Sequence, residues 1–192
     1  DVRPKPLQDP HPPFYIGGIS PAAVEVGTKH ADVYLFWSNT FDQIAADIAT
    51  VREAAEQHGR DDKLRLGLRS HVLVRESAEE ARAAVETLIA GATESMRTNR
   101  ENSLGAESHA DARMREVASA AADMDHWLTD TLWAGITTIR HGAGVTIVGS
   151  ADQVRDTIQG YVDLGITSFC LSGYPHDDEA TRFGDLVMPA FR

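Results

Sequence analysis

Three observations predict an α/β fold with a parallel sheet and helices on its outer side. Strand-like runs alternate with helical patterns in the cadence strand, capped helix, glycine, strand. The helical patterns open on Ser or Thr and stop at glycines, notably Gly59 and Gly165. The run from Leu64 to Arg75 reads as one strand whose two faces have opposite chemistry.

Residues 1–13 hold five prolines and no periodicity, so an extended linker is expected there. A strand over 14–18 runs into Gly17-Gly18-Ile19-Ser20-Pro21, where Ser20 suits an N-cap and Pro21 the first helical position. The helix reaches about His30, and Ala31–Trp37 forms the second strand. Thr40-Phe41-Asp42-Gln43 reads as a capping box opening a helix that turns Phe41, Ile44, Ala45, Ile48, Val51 and Ala55 to one face. The strand over 64–75 follows. Its even positions, Leu66, Leu68, Ser70, Val72 and Val74, are mostly apolar, whereas its odd positions carry Arg65, Gly67, Arg69, His71 and Arg75. Alternation sets Arg69 and His71 about 7 Å apart on one face. Such a cationic pair, with an oily face behind it, points to an anion site.

Ser77 caps the next helix, whose stripe is Ala81, Ala84, Val85, Leu88 and Ile89. From about 93 to 144 the pattern loosens, with a polar stretch at 97–111 and the glycine-bearing Arg140-His141-Gly142-Ala143-Gly144. A connection this long is expected to be a lid or insertion. Order returns with a short strand at 144–149 and a helix capped by Ser150, with Val154, Ile158, Tyr161 and Val162 inward. Gly165, a strand at 166–172 and a last helix near 177–188 complete the chain. Ligands of parallel sheets sit at the strands' carboxyl ends, where Gly17–Ser20, Trp37–Asn39 and Ser172–His176 fall.

The 29 Asp and Glu outnumber the 18 Lys and Arg, giving a net charge of −11 that argues against nucleic acid or an anionic membrane as partner. A small anionic ligand suits the local cationic pair better. Cys170 has no second cysteine to pair with, and no run approaches the roughly 20 apolar residues of a membrane span. A reducing, cytoplasmic setting is expected. The chain opens on Asp1 without an initiating Met, so Asp1 is not expected to be the natural start of the gene product.

Five segments in order, Phe-Tyr-Ile-Gly-Gly-Ile-Ser-Pro, Ala-Asp-Val-Tyr-Leu-Phe-Trp, Leu-Arg-Ser-His-Val-Leu-Val-Arg-Glu, Ile-Arg-His-Gly-Ala-Gly-Val-Thr-Ile-Val-Gly-Ser and Phe-Cys-Leu-Ser-Gly-Tyr-Pro-His, resemble the bacterial luciferase-like flavin monooxygenases. The branch they most resemble is that of the FMNH2-dependent alkanesulfonate monooxygenases. The resemblance runs from about Pro12 to Pro189 and implies the C-terminal half of a (β/α)8 TIM barrel, over 14–192. A whole barrel needs about 250 residues. The resemblance therefore places four strands, and that branch's catalytic cysteine, in an upstream half; Cys170 does not match that position.

The resemblance also implies roles. Gly17, Gly18, Ile19 and Ser20 match the turn that holds the FMN phosphate, with Ile19 where a serine is usual; free amides at a helix start suit a phosphate, and the plain alternative is an ordinary turn and cap. Arg69 matches a clamp on the sulfonate or the oxygenated flavin, and His71 a donor or acid–base group; the alternative is a strand with one wet face. Ser70 stands where an apolar residue is usual. Tyr174 matches a residue at the flavin edge that could donate to a developing oxyanion or relay a proton, against plain rim packing. Arg140 matches a lid arginine, against a solvated loop charge. Trp37 suits a wall for an aromatic ring or alkyl chain, or plain core. His176 reads as a helix-start residue. His126, Trp127 and Trp133 are read as structural, and no spacing resembles a metal site.

The implied reaction uses reduced FMN and O2 to cleave the C–S bond of an alkanesulfonate, giving aldehyde and sulfite, with FMNH2 supplied by a separate NAD(P)H-dependent FMN reductase. Two other readings stay open: an F420- or FMN-dependent luciferase-like oxidoreductase with another substrate, and a non-catalytic flavin-binding half-barrel. Unpaired strand edges make a homo-oligomer a further possibility.

Overall fold

The structure is a computed structural model that describes residues 3–96, 98, 109–140, 142 and 144–191. Six strands form one sheet: β1 (Tyr15–Gly17), β2 (Val33–Trp37), β3 (Arg65–Arg75), β4 (Leu132–Trp133), β5 (Thr146–Ser150) and β6 (Ser168–Ser172). Helices among the described residues include α1 (Pro21–His30), α2 (Phe41–Gln57), α3 (Ala78–Ala90), α4 (His109–Ala120), α5 (Ala151–Asp163) and α6 (His176–Leu186). Every pairing is parallel except β4 with β5. The α/β, parallel-sheet prediction therefore holds, and β4 is the strand that periodicity missed, because two residues carry none.

β3 is the long central strand, and its eleven residues serve three neighbours. Residues 65–69 pair with β2, 67–71 with β6, and 71–75 with β5. The handover from β2 to β5 falls at Ser38, whose amide donates to Arg69 O (2.9 Å) and whose hydroxyl donates to Val145 O (2.7 Å). Ser70 belongs to the same junction, donating to Val145 O at 3.1 Å. The serine that stands for an apolar residue thus has a buried hydrogen-bonding task.

The even face of β3 is buried as expected. Leu66, Leu68, Val72 and Val74 pack with Tyr34, Phe36, Ile44, Val51, Val154, Ile158 and Tyr161 in the main core. Burying each such aliphatic side chain is worth roughly 1.5–3 kcal/mol. The odd face changes character along the strand. Arg65 and Arg69 keep solvent contact, His71 is buried, and Leu73 packs with Ala81, Val85, Trp133, Ile136 and Val148 in a second core under α3.

Ser20, Ser77 and Ser150 cap their helices, Ser150 with Gln153 as a full capping box. Gly59 (φ +62°) and Gly165 (φ +97°) end theirs in the left-handed region. Thr40 departs from expectation, since its side chain makes no capping bond. Asn39 Oδ1 instead accepts the Thr40 amide (2.8 Å), and Gln43 Nε2 donates to Asp47 Oδ1 (3.1 Å). Ala45 and Val162 face outward, each one position, or about 100° of helix, beyond the centre of the buried stripe. Residues 3–13 contain neither helix nor strand, whereas the 93–144 region contains α4, β4 and two short 3₁₀ turns. Among the described residues no helix is long and apolar enough to cross a membrane.

Candidate active site

The first half of the site is the turn between β1 and α1. Gly18 has φ +145°, and a Cβ there would lie 2.7 Å from the Cβ of Ala23, so only glycine lets the turn fold this close to the helix. Ser20 Oγ accepts the Ala23 amide at 3.2 Å. The buried Tyr34 hydroxyl donates to Gly18 O at 2.7 Å and fixes the turn from below. Burial, with the Asp47 carboxylate second, pushes the Tyr34 hydroxyl up to about 12. Above the turn lies a cavity of ≈ 420 Å³ lined by Gly17, Gly18, Ile19, Ser20 and Trp37 together with Asp47, His109 and Arg113. Arg113 spans it with a bidentate pair to Asp47, at 2.9 and 3.0 Å. All the expected turn residues and Trp37 therefore meet at one cavity.

The second half is cationic. The register pairs Trp37 with Arg69 on β3 and Arg69 with Cys170 on β6. Arg69 Nη2 donates to Ser172 Oγ at 2.9 Å, and His71 Nδ1 lies 2.9 Å from that same oxygen. The His71 ring, 1 % exposed, is 5.2 Å from the Tyr174 ring, and the Tyr174 ring is 4.7 Å from that of His176. The Arg140 guanidinium lies 5.0 Å above the Tyr174 ring. Burial lowers the Arg140 pKa, and the charge of Arg69 lowers it further. Two guanidinium groups close enough to repel each other are a site an anion would stabilise.

Arg69, His71, Tyr174 and Arg140 thus come together, and Trp37 links them through Arg69 to the turn. Arg140 is not a solvated loop charge, since Tyr174 lies beneath it. His141 and Ala143 lie outside the described residues, as does most of the polar stretch before α4; Gly142 donates its amide to Asp111 Oδ1 of α4 at 3.2 Å. His176 opens α6, and its Nδ1 bonds Gly173 O. The exposed Cys170 offers only its backbone oxygen to Arg69. Among the described residues no cluster of His, Cys, Asp and Glu could hold a metal ion.

Sequence reasoning set Ser172 at the ligand end of the sheet without a role, and it missed Asp47, His109 and Arg113. The role of Ser172 could have been found by sliding β6 against β3 in parallel register, which sets it beside His71. The three residues at the cavity wall carry no local signal, because α2 and α4 meet there only after the chain folds.

A family model described as luciferase-like monooxygenase matches residues 1–168. Among solved structures the chain is similar to riboflavin lyase crystallised with modified FMN and riboflavin, with a TM-score of 0.71, 15% identity, and coverage of 95% of this chain and 43% of that one. EDTA monooxygenase from Chelativorans sp. BNC1 gives 0.69 and 17%, covering 94% of this chain and 44% of that one. The coenzyme F420-dependent tetrahydromethanopterin reductase from Methanopyrus kandleri gives 0.55 and 18%, covering 94% and 51%. At these identities the likeness is one of fold, and the chain spans about half the length of these structures.

Proposed function

This chain belongs to the luciferase-like monooxygenase family, and from that membership we propose that it supplies the C-terminal half of the active site of an FMNH2-dependent alkanesulfonate monooxygenase. The observation that carries the reading is the gathering of two mutually repelling arginines, Arg69 and Arg140, the latter over Tyr174, near a glycine turn that ends in a helix start.

The residues present suit FMN. Gly17, Gly18, Ile19 and Ser20 would hold its phosphate, because the turn combines helix-start amides with positions where a Cβ would collide. Trp37 would stand beside its ring system. When bound, the reduced flavin supplies two electrons and, with O2, the oxygen atom inserted into the substrate. Arg69 binds the sulfonate, and Arg140, on its glycine-bearing segment, covers it and excludes water. His71 and Tyr174 hold or move a proton where the C–S bond opens to aldehyde and sulfite. A separate NAD(P)H-dependent FMN reductase delivers the reduced cofactor.

The fold-level likeness to an F420-dependent reductase supports a second reading, an F420-dependent oxidoreductase with another substrate. Anaerobic titration with FMNH2 and with F420 separates the two: tight F420 binding without FMNH2 binding overturns the first. Sulfite release from a series of alkanesulfonates, assayed in the barrel-length protein, tests the substrate; no sulfite from any of them overturns that part.

A further inference from the structure

The Ser172 hydroxyl meets the side chains of both Arg69 and His71, and the chemistry of its neighbours gives that contact a direction. A guanidinium has only donors, so the 2.9 Å contact makes Ser172 Oγ an acceptor from Arg69. The serine's own proton then points to its other partner, His71 Nδ1, also 2.9 Å away. In a neutral imidazole whose Nδ1 accepts, the proton resides on Nε2. The opposite arrangement would have Ser172 Oγ accept twice, from Arg69 and from the imidazole, and would leave the serine proton without this partner. A doubly protonated ring would add a third positive charge beside Arg69 and Arg140.

We propose that Ser172 is a positioning residue that locks His71 as the Nε2–H tautomer, through a donor chain running Arg69 to Ser172 to His71. The groups around the ring agree with this polarity. Arg69 lies on the same strand, Tyr174 and His176 come from the turn after β6, and Arg140 stands over Tyr174. Thr146, the register partner of His71 on β5, is 4 % exposed and lines with it a void of about 10 Å³. The lock leaves the ring proton on the buried Nε2, a donor for a reacting group brought to that side, while Nδ1 stays committed to Ser172. That catalytic meaning rests on the monooxygenase reading; the tautomer itself does not.

The test is nitrogen NMR on the 15N-labelled chain at neutral pH, with the His71 signals assigned by their loss in His71→Gln. The expected result is an acceptor-type Nδ1 and a proton-bearing Nε2 in one dominant tautomer. Ser172→Ala should shift Nδ1 well toward the proton-bearing range, and Ser172→Thr, which keeps the hydroxyl, should restore the native pattern. A proton on Nδ1 in the native chain overturns the proposal, as does an unchanged Nδ1 in a folded Ser172→Ala. If Ser172→Ala does not fold, the native spectrum and the threonine variant still decide: loss of the pattern in a folded Ser172→Thr counts against the lock. An anaerobic FMNH2 titration of the same samples keeps the two ideas apart, since absent flavin binding with the tautomer in place counts only against the monooxygenase reading.

Discussion

The Tyr34 ring occupies the space in which a side chain at Gly27 would stand: a Cβ built on Gly27 would lie 2.5 Å from Tyr34 Cε2. The helix α1 and the strand β2 can approach this closely only over a glycine, and the ring so admitted reaches up to hold Gly18 O. Gly27→Ala is expected to destabilise the fold by about 1–3 kcal/mol through overpacking. It should also weaken FMNH2 binding, because the displaced ring releases the turn. Chemical denaturation and an anaerobic titration measure the two effects; a stable variant with unchanged affinity would disprove the link.

The Tyr34 hydroxyl gives a pH signature. Its value is raised from 10.0 to about 12, so the neutral phenol is favoured by folding. The associated stability is fully present below pH 10 and is lost as pH rises toward 12. Tyrosinate absorbance should therefore show Tyr34 ionising late and together with unfolding, and Tyr161, likewise buried and raised by that burial, should join it. Tyr34→Phe should remove the Tyr34 part of this alkaline transition and, by leaving Gly18 O without its donor, cost about 1–3 kcal/mol at neutral pH.

Arg69→Ala separates stability from function. The guanidinium is part-buried and bonds to backbone oxygens and Ser172, contacts that water can largely replace, so a stability loss of about 1 kcal/mol is expected. Turnover of an alkanesulfonate in the barrel-length protein should fall by orders of magnitude, mostly in kcat/KM. Unchanged turnover would refute the assigned role.

Glu179 should behave in the opposite way. Its carboxylate, 2% exposed, holds Arg75 at the end of β3 (2.9 Å) and Arg182 on its own helix (2.8 Å). The carboxylate is the buried member, and the arginines it leaves behind keep some contact with water, so Glu179→Ala is expected to cost about 1–2 kcal/mol. A fall in thermal midpoint with the FMNH2 affinity of the surviving folded protein retained is the expected pattern. Loss of affinity without loss of stability would contradict it.

Much of this was written in local patterns. The two faces of β3, the serine caps and the glycine stops depend on neighbours within a few residues, so periodicity reveals them. The gathering of Arg69, His71, Tyr174 and Arg140 was legible only through the family resemblance, since nothing in the spacing of 69, 140 and 174 brings them together. The role of Ser172 and that of Arg113 escaped both routes. A serine at a strand end and an arginine on a weakly amphipathic helix look ordinary until tertiary register supplies Arg69, His71 and Asp47 as partners. The capping box at Thr40 failed for a related reason, because the adjacent Asn39 and the i+4 partner Asp47 took its hydrogen bonds.

The three neighbours of β3 are also unequal in chain distance. Leu35 meets Gly67 after 32 residues, whereas Arg69 meets Cys170 across 101. Loop-closure entropy makes the longer ring about 1 kcal/mol dearer to close. On that ground the contact that joins Ser172 to Arg69 and His71 is expected to form late as the chain folds and to open early when it loosens. In hydrogen exchange, the amides of β6 should lose protection before those shared by β2 and β3, so the chemical centre would come apart while the sheet beneath it still stands.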